Sequence, residues 1–380
     1  MGKKLILGIT APGSVILIAG QLRYFKELGY ETYLMAPNEH RVADYCEREG
    51  CIHLPVALER EISPVKDVKA FFQVLKYLRK VKPDVVNFGT PKVSLLGMVA
   101  AKLLGVKNRI YTCRGFRFEH ETGIKKTTLV VMEKITASFA HQIICISDSV
   151  RTLGIDAAIF SAEKSLVIFK GSSNGIDLER FNPSQVTTSE KDLLKKELGL
   201  ADGTFIFGFV GRLIDRKGVK ELFSAFSNLY SNNDSLRLLM VGSVEHSQLS
   251  DTTLFDKMNA HPGILILPYQ HNVPLYLSIM KVFVLPAWWE GFGNVLVQAA
   301  AMGLPVIATD VTGSKDAVSK DFNCLLIPSK SVEALQEAML LLYKNAEKRN
   351  DLGQNGLIWA KNFDSKTIWN GMDKIYKSKK

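Results

Sequence analysis

Two short runs carry the residue types that handle phosphate and sugar. The first is Gly211-Arg212-Leu213-Ile214-Asp215-Arg216-Lys217-Gly218. It follows an apolar stretch and opens a helical pattern. Backbone N–H groups at a helix start, with two fixed cations beside them, suit a diphosphate. Arg212 can fork onto phosphate oxygens, and Lys217 can add a point charge. A surface turn with scattered basic residues has the same composition. The second run is Glu290-Gly291-Phe292-Gly293-Asn294-Val295-Leu296-Val297-Gln298, continuing to Gly303-Leu304-Pro305. Gly291 and Gly293 let the backbone come close to a ligand. A carboxylate just ahead of a helix can accept hydrogen bonds from sugar hydroxyls. Positions 290 and 298 span the turn and two helical turns, so both side chains can border one pocket. A strand–helix loop whose glycines simply cap and pack reads the same way.

Each run must be held by a strand before it and a helix after it, and the apolar pattern supplies both. Strands are expected at Leu5–Ile9, Glu31–Ala36, Asp84–Phe88, Arg109–Thr112, Gln142–Ile146 and Leu166–Phe169. Ala11-Pro12-Gly13-Ser14 reads as a turn, and the run to Leu28 as one helix ended by Gly29. Further helices are expected at Val65–Val81, Ser94–Leu104 and Thr127–Ala140. Around Ile176–Gly203 the apolar pattern weakens, and a domain boundary is placed there. The alternation restarts with strands Phe205–Val210, Leu236–Val241, Ile264–Leu267, Val282–Leu285, Val306–Thr309 and Leu325–Ile327. Helices Gly218–Tyr230, Asn294–Met302 and Val332–Tyr343 lie among them. Short apolar strands alternating with helices imply parallel sheets covered on both faces. The expected organisation is an α/β chain of two Rossmann-like, doubly wound domains facing a cleft. Residues 1–180 form the first and 204–362 the second, and 363–380 form a C-terminal helix that packs back on the first.

Bulk properties narrow the function classes. The 380 residues are 47% apolar and 23% charged, enough to bury a core in each of two domains. The formal charge is +10, and residues 1–180 hold 26 Lys and Arg against 18 Asp and Glu. A basic first half suits an anionic partner or is ordinary solvated lysine surface. Five cysteines without a CxxC pair argue against a disulfide framework or a zinc site, which fits a reducing cytoplasm. The apolar stretch Leu5 to Leu22 imitates a signal peptide. Pro12 and Gly13 interrupt it, and strand, turn and helix is the better reading. No run reaches the length of a membrane span.

The order and spacing of Gly211–Gly218 and Glu290–Gln298 resemble glycosyltransferase family 4, which has the GT-B fold. The run Lys170-Gly171-Ser172-Ser173-Asn174-Gly175-Ile176-Asp177 is similar to that family's end-of-first-lobe signature. More narrowly, the pattern is similar to bacterial enzymes that build capsular polysaccharide, O-antigen or related lipid-linked glycans. The resemblance implies a retaining, metal-independent hexosyltransferase with a nucleoside-diphosphate sugar as co-substrate, UDP-sugar being expected, and no cofactor. It implies that Arg212 and Lys217 hold the donor diphosphate and that Glu290 binds donor-sugar hydroxyls, these three forming the catalytic set. The donor site would be completed by Gly211, the amides of Phe292, Gly293 and Asn294, and Val295 at the helix start. Pro268-Tyr269-Gln270 would pass the base, and Gly13 with Ser14 would approach the phosphate from the first lobe. The family's second glutamate, which holds the ribose, is Gln298 here. Many relatives carry a His that faces the donor sugar where this chain has Arg114, so Arg114 becomes a candidate for an acceptor phosphate or the donor sugar, with Arg117 and His120 as further acceptor-side candidates.

The implied acceptor is a polyprenyl-diphosphate-linked or other glycan. The basic first lobe, including Lys76, Arg79, Lys80, Lys82, Arg114, Arg117, Lys125 and Lys126, would dock on an anionic membrane. The expected location is the cytoplasm, peripheral on the inner membrane face. Three rivals are weaker. A nicotinamide-dependent oxidoreductase would need G-x-G-x-x-G where the chain reads Thr10-Ala11-Pro12-Gly13-Ser14. A nucleotide-sugar epimerase of the same architecture would need no acceptor. A nucleic-acid binder would need aromatic–basic interleaving, and no nucleic-acid partner is expected. Asp84, Asp148 and Asp156 stand singly, with no DxD and no His/Cys cluster to bind a metal.

Overall fold

The computed structural model describes residues 2–59 and 63–378; the side chain of His120 is also outside the described residues. The chain divides into two units. One comprises the residues up to Gly175 together with those from Lys366 onward, and the other spans Ile176–Ser365.

The first unit is built on seven parallel strands. They are β1 Lys4–Gly8, β2 Glu31–Ala36, β3 Ile52–Pro55, β4 Val85–Phe88, β5 Asn108–Cys113, β6 Gln142–Cys145 and β7 Ser165–Val167, in the order β3-β2-β1-β4-β5-β6-β7. The strands read as apolar runs because both faces are covered. Val86, Phe88, Val93 and Met98 pack on one side, and Leu5, Leu7, Phe25 and Tyr45 on the other. The chain's last helix, Ser365–Lys377, buries Ile368, Trp369, Met372 and Tyr376 in the second of these cores. That spacing is one helical stripe. Its polar tips are satisfied within the unit. Tyr376 accepts from Asn87 Nδ2 at 2.6 Å, and Trp369 Nε1 donates to Asn174 at 2.7 Å.

Two local expectations are corrected here. The segment after β1 is not one helix to Leu28 but a 3₁₀ segment, Pro12–Ile18, followed by the helix Gln21–Glu27. Gly20 separates them with φ +77°, and a Cβ there would stand 2.8 Å from the Trp369 ring, so only glycine fits. The edge strand β3 and the helix His40–Glu49 before it are additions to the sequence reading.

The second unit has six parallel strands, β8 Ile206–Val210, β9 Arg237–Val241, β10 Ile264–Leu267, β11 Val282–Leu285, β12 Val306–Thr309 and β13 Cys324–Ile327. Their order is β10-β9-β8-β11-β12-β13. The weakly apolar stretch around Ile176–Gly203 folds into this unit rather than standing between units. Its helix Thr188–Glu197 packs on Val273–Ile279 and is opened by a Thr187/Glu190 capping box. In each sheet the strand order reverses once, between β1 and β4 and between β8 and β11. Open α/β sheets bind ligands beyond the carboxyl ends of strands at such a reversal. The runs 211–218 and 290–298 follow β8 and β11.

Candidate functional site

Parallel pairing continues past the end of β8 and sets the direction of Arg212. Gly211 N–H donates to Val241 O at 2.9 Å, Leu213 N–H donates to Ser243 O at 2.9 Å, and Leu213 bridges to Val244. Side chains alternate along an extended segment. Leu213 is fully buried, so Arg212 emerges on the opposite side. There Nη1 donates to Glu245 at 2.8 Å (Oε1) and 3.1 Å (Oε2). Gln248 also donates to Glu245. Gly242 makes this close approach possible, since a Cβ on it would lie 1.9 Å from Gly211 O.

The run then turns through Asp215–Lys217 and reaches Gly218, whose φ of +70° starts the helix Val219–Tyr230. A Cβ at Gly218 would lie 2.0 Å from Pro286 O, and Trp288 N–H donates to Arg216 O at 2.8 Å. The two loops are therefore locked backbone to backbone. Arg216 also stacks over the Trp289 ring, 4.6 Å from its centroid.

That locking brings Lys217 Nζ onto the Glu290 carboxylate as an ion pair. The two side chains are 13% and 11% exposed. Glu290 is further held by its backbone, whose N–H donates to Thr312 O at 3.1 Å. Gly313 presses close beneath it, with φ +76° and no room for a Cβ beside Glu290 O at 2.5 Å. Lys217 and Glu290 thus meet, while Arg212 does not touch Glu290 and pairs with Glu245. Glu245 was absent from the sequence reading. The signal for it is register: a carboxylate four residues beyond the end of β9 lies opposite an arginine just beyond β8.

The helix Asn294–Ala301 begins at Gly293 with no side-chain cap and no acidic residue in its first turn. Its amino end therefore keeps a positive field for an anion. Asn294, Val295 and Gln298 are half-buried while Leu296, Val297, Ala299 and Ala300 are buried, so those three mark the accessible face. Two expectations change. Gly293 has φ −76°, and a Cβ on it would lie 2.6 Å from Leu296 Cδ1, so packing within the loop is the reason for this glycine. The amides of Gly293 and Asn294 donate to Gly313 O at 3.3 Å and Phe292 O at 2.9 Å instead of standing free. The Phe292 ring is buried against Phe363, 5.5 Å between centroids. Tyr269, just beyond β10, is 51% exposed and meets His271 edge-on at 5.0 Å.

In the first unit, Gly13 is exposed with open space around it, and Ser14 N–H closes a turn onto Ala11 O at 2.9 Å. Arg114 follows β5, and its Nη1 donates to Ser173 O at 3.0 Å. Desolvation lowers its guanidinium to about 10. Arg117 is exposed in the 3₁₀ segment Arg117–His120, and the His120 side chain lies outside the described residues. Among the described residues no group of three or more His, Cys, Asp and Glu could hold a metal.

Comparison with known proteins identifies the family and the fold. Residues 190–359 match the family model for glycosyl transferases group 1, and residues 9–147 match glycosyl transferase 4-like. The capsular polysaccharide biosynthesis glycosyltransferase CapM of Staphylococcus aureus is 30% identical over 369 residues, covering 97% of this chain and 95% of that protein. The UDP-Gal:alpha-D-GlcNAc-diphosphoundecaprenol alpha-1,3-galactosyltransferase of Escherichia coli is 30% identical over 316 residues, 82% of this chain and 79% of its own. In fold, the chain superposes on Anabaena HepE in complex with UDP at a TM-score of 0.81, with 19% identity and 98% of both chains covered. Two Rossmann-like units, the two matched family models and 30% identity to CapM over 97% of the chain place this chain in glycosyltransferase family 4, with the GT-B fold.

Proposed function

We propose that this glycosyltransferase moves a sugar from a UDP-sugar to a lipid-linked glycan in bacterial surface polysaccharide synthesis, with retention of configuration and without a metal. The observation that carries the reading is the Lys217–Glu290 pair at the β8/β11 reversal, beside the uncapped start of Asn294–Ala301. A diphosphate meets Lys217, Arg212 and the helix end there, and sugar hydroxyls meet Glu290. The relative from Escherichia coli, named for UDP-Gal and a diphosphoundecaprenol acceptor, supports the same donor and acceptor classes here.

In the reaction the bond between the anomeric carbon and the β-phosphate oxygen breaks. Negative charge grows on the departing diphosphate, where fixed cations stabilise it without reorganisation. The acceptor hydroxyl oxygen bonds the anomeric carbon from the same face, and its proton passes to the departing phosphate oxygen. Glu290 is tied to Lys217 and is a poor nucleophile in that state, which favours this route over a covalent glycosyl-enzyme. Gln298 offers one amide oxygen to a ribose hydroxyl from the accessible face of its helix.

A membrane-side acceptor is supported by the surface of the first unit. The helix Pro64–Val81 exposes Val65, Val68 and Phe72 among Lys66, Lys69 and Lys76, and the helix Gly123–Phe139 exposes Ile124 and Val131 among Lys125, Lys126 and Lys134. Both helices lie beside Pro91–Leu103 on one face of the sheet. Apolar tips ringed by lysines suit an anionic bilayer surface, at about 1 kcal/mol per basic residue. No described helix is long and apolar enough to cross a membrane.

The test is a transfer assay with labelled UDP- and GDP-sugars and an undecaprenyl-diphosphate-linked acceptor, run with a chelator. The expected result is transfer from a UDP-sugar, undiminished by chelation, with the donor's anomeric configuration in the product. Conversion of the nucleotide sugar without acceptor would establish the epimerase instead. An inverted product or loss of activity on chelation would overturn the corresponding clause.

A further inference from the structure

The cation of Arg114 is built into the first unit without a counter-ion. Its side chain lies over Gly89, in the loop beyond β4: a Cβ there would stand 2.8 Å from Nε and 3.3 Å from Nη2. Any other residue at 89 would push the guanidinium away. One N–H, from Nη1, is spent on Ser173 O at 3.0 Å. Nε is sequestered and has no partner among the described residues, and the same holds for Oγ of Ser173, a residue 3% exposed. The groups that act on the charge of Arg114 are Tyr376, Tyr111 and Cys113, all neutral at pH 7. No described carboxylate pairs with it.

The surroundings are organised to keep this arrangement. Ser172 holds φ +120° and Gly171 holds φ +94°, a backbone course that costs about 1–3 kcal/mol for the serine. Ser172 N–H donates to Ile146 O at 2.7 Å, and its hydroxyl accepts from Gly175 N at 2.9 Å. This turn delivers the carbonyl of Ser173 to the arginine. Beneath them, Thr112 Oγ1 donates to Asn87 Oδ1 at 2.7 Å, and Asn87 donates to Tyr376. A desolvated cation whose Nε–H has no partner, on a serine whose buried hydroxyl has none either, is costly unless an anion completes it. The position is the carboxyl end of β5, one strand from the β1/β4 reversal.

We propose that Arg114 and Ser173 form an oxyanion subsite, with Gly89 clearing the space, that receives an anionic oxygen group of a substrate. The subsite rests on the transferase reading above and adds a chemical requirement to it: one reactant carries either a sugar carboxylate or a phosphate beside its reacting sugar. The guanidinium Nε–H and the serine hydroxyl both donate to that group.

Two measurements on the full chain test this. In the first, protein labelled with ¹⁵N-arginine is titrated separately with methyl diphosphate and with glucuronate. The Arg114 Nε–H resonance shifts with one of them, and Ser173→Ala weakens that binding about 3- to 10-fold. In the second, transfer is compared across matched pairs: UDP-glucuronate against UDP-glucose, and a diphosphate-linked lipid acceptor against its neutral octyl glycoside. Arg114→Gln lowers kcat/KM about 10- to 100-fold for the charged member of one pair only, and leaves UDP affinity unchanged. Loss on the UDP-glucuronate pair assigns the carboxylate, and loss on the lipid pair assigns the phosphate. Equal losses on charged and neutral members, or an Nε–H resonance unmoved by both anions, would overturn the subsite while leaving the transferase reading intact. A wild-type protein that binds neither UDP nor any UDP-sugar would instead remove that reading.

Discussion

Replacing Lys217 by Met separates the structural role of the Lys217–Glu290 pair from its chemical role. Both side chains are nearly enclosed, at 13% and 11% exposed. Truncating one partner of such a pair leaves the other charge buried and alone, which costs about 3–5 kcal/mol. The residual exposure puts the expectation at the lower end, about 3 kcal/mol for Lys217→Met and a similar loss for Glu290→Gln. The double variant holds no lone charge, so its stability returns to within about 1 kcal/mol of wild type, and the coupling energy is about 5 kcal/mol. Activity behaves differently. The donor loses a cation at its leaving group and a carboxylate at its sugar, so kcat/KM falls about 10²- to 10³-fold in the double variant as well. Urea denaturation of the four proteins gives the stability cycle, and initial transfer rates give the second. A double variant that is stable and transfers sugar at the wild-type rate would refute the reasoning, as would a coupling energy below about 0.5 kcal/mol.

Three further outcomes are expected. Glu133 is buried, accepts from Tyr111 at 2.6 Å, and has its carboxyl pushed up to about 7 by desolvation. The folded state therefore holds a proton that the unfolded chain releases, and stability falls as pH rises from about 4.5 to about 7. Glu133→Gln removes that fall, so the variant gains about 3 kcal/mol on wild type between pH 4 and pH 8 in denaturant titrations, and parallel curves would contradict it. Glu245→Gln frees Arg212 from a partly exposed pair contributing about 1 kcal/mol at most, so UDP binds up to about five-fold tighter by calorimetry; weaker binding would show that Glu245 positions the arginine instead. Gly218→Ala meets both φ +70° and a carbonyl 2.0 Å from its Cβ, and thermal unfolding should show a loss of about 2 kcal/mol or more together with lost donor binding.

Much of the architecture was legible because buried parallel strands are nearly pure apolar runs. Ile264–Leu267, Val282–Leu285 and Val306–Thr309 are strands with the bounds their composition predicts. Strand β3 was not legible. Ile52-His53-Leu54-Pro55 sits at the sheet edge, with Ile52 49% exposed and a proline at its end, so it carries little apolar signal. The helix break at Gly20 depends on Trp369, almost 350 residues away, and no local pattern announces it.

The site divides in the same way. Lys217 and Glu290 stand 73 positions apart, yet each lies beyond one of two adjacent strands at a topological reversal; the resemblance groups both with Arg212 in one set, and does not announce their ion pair. Arg212 and Glu245 depend on the register between β8 and β9 beyond their ends, which spacing does not encode. Gly293 was read as room for a ligand, whereas it makes room for Leu296. The missing partner of Arg114 is a matter of three-dimensional surroundings and has no counterpart in the linear chain.

The most direct measurement of the central claim is the unfolding free energy of wild type and Lys217→Met against a panel of UDP- and GDP-sugars. A donor present at a hundred times its dissociation constant should stabilise the wild type by about 2.7 kcal/mol. The same concentration should leave Lys217→Met almost unshifted. A panel in which no nucleotide sugar stabilises the wild type, or one that stabilises both proteins equally, would contradict a donor site at Lys217 and Glu290.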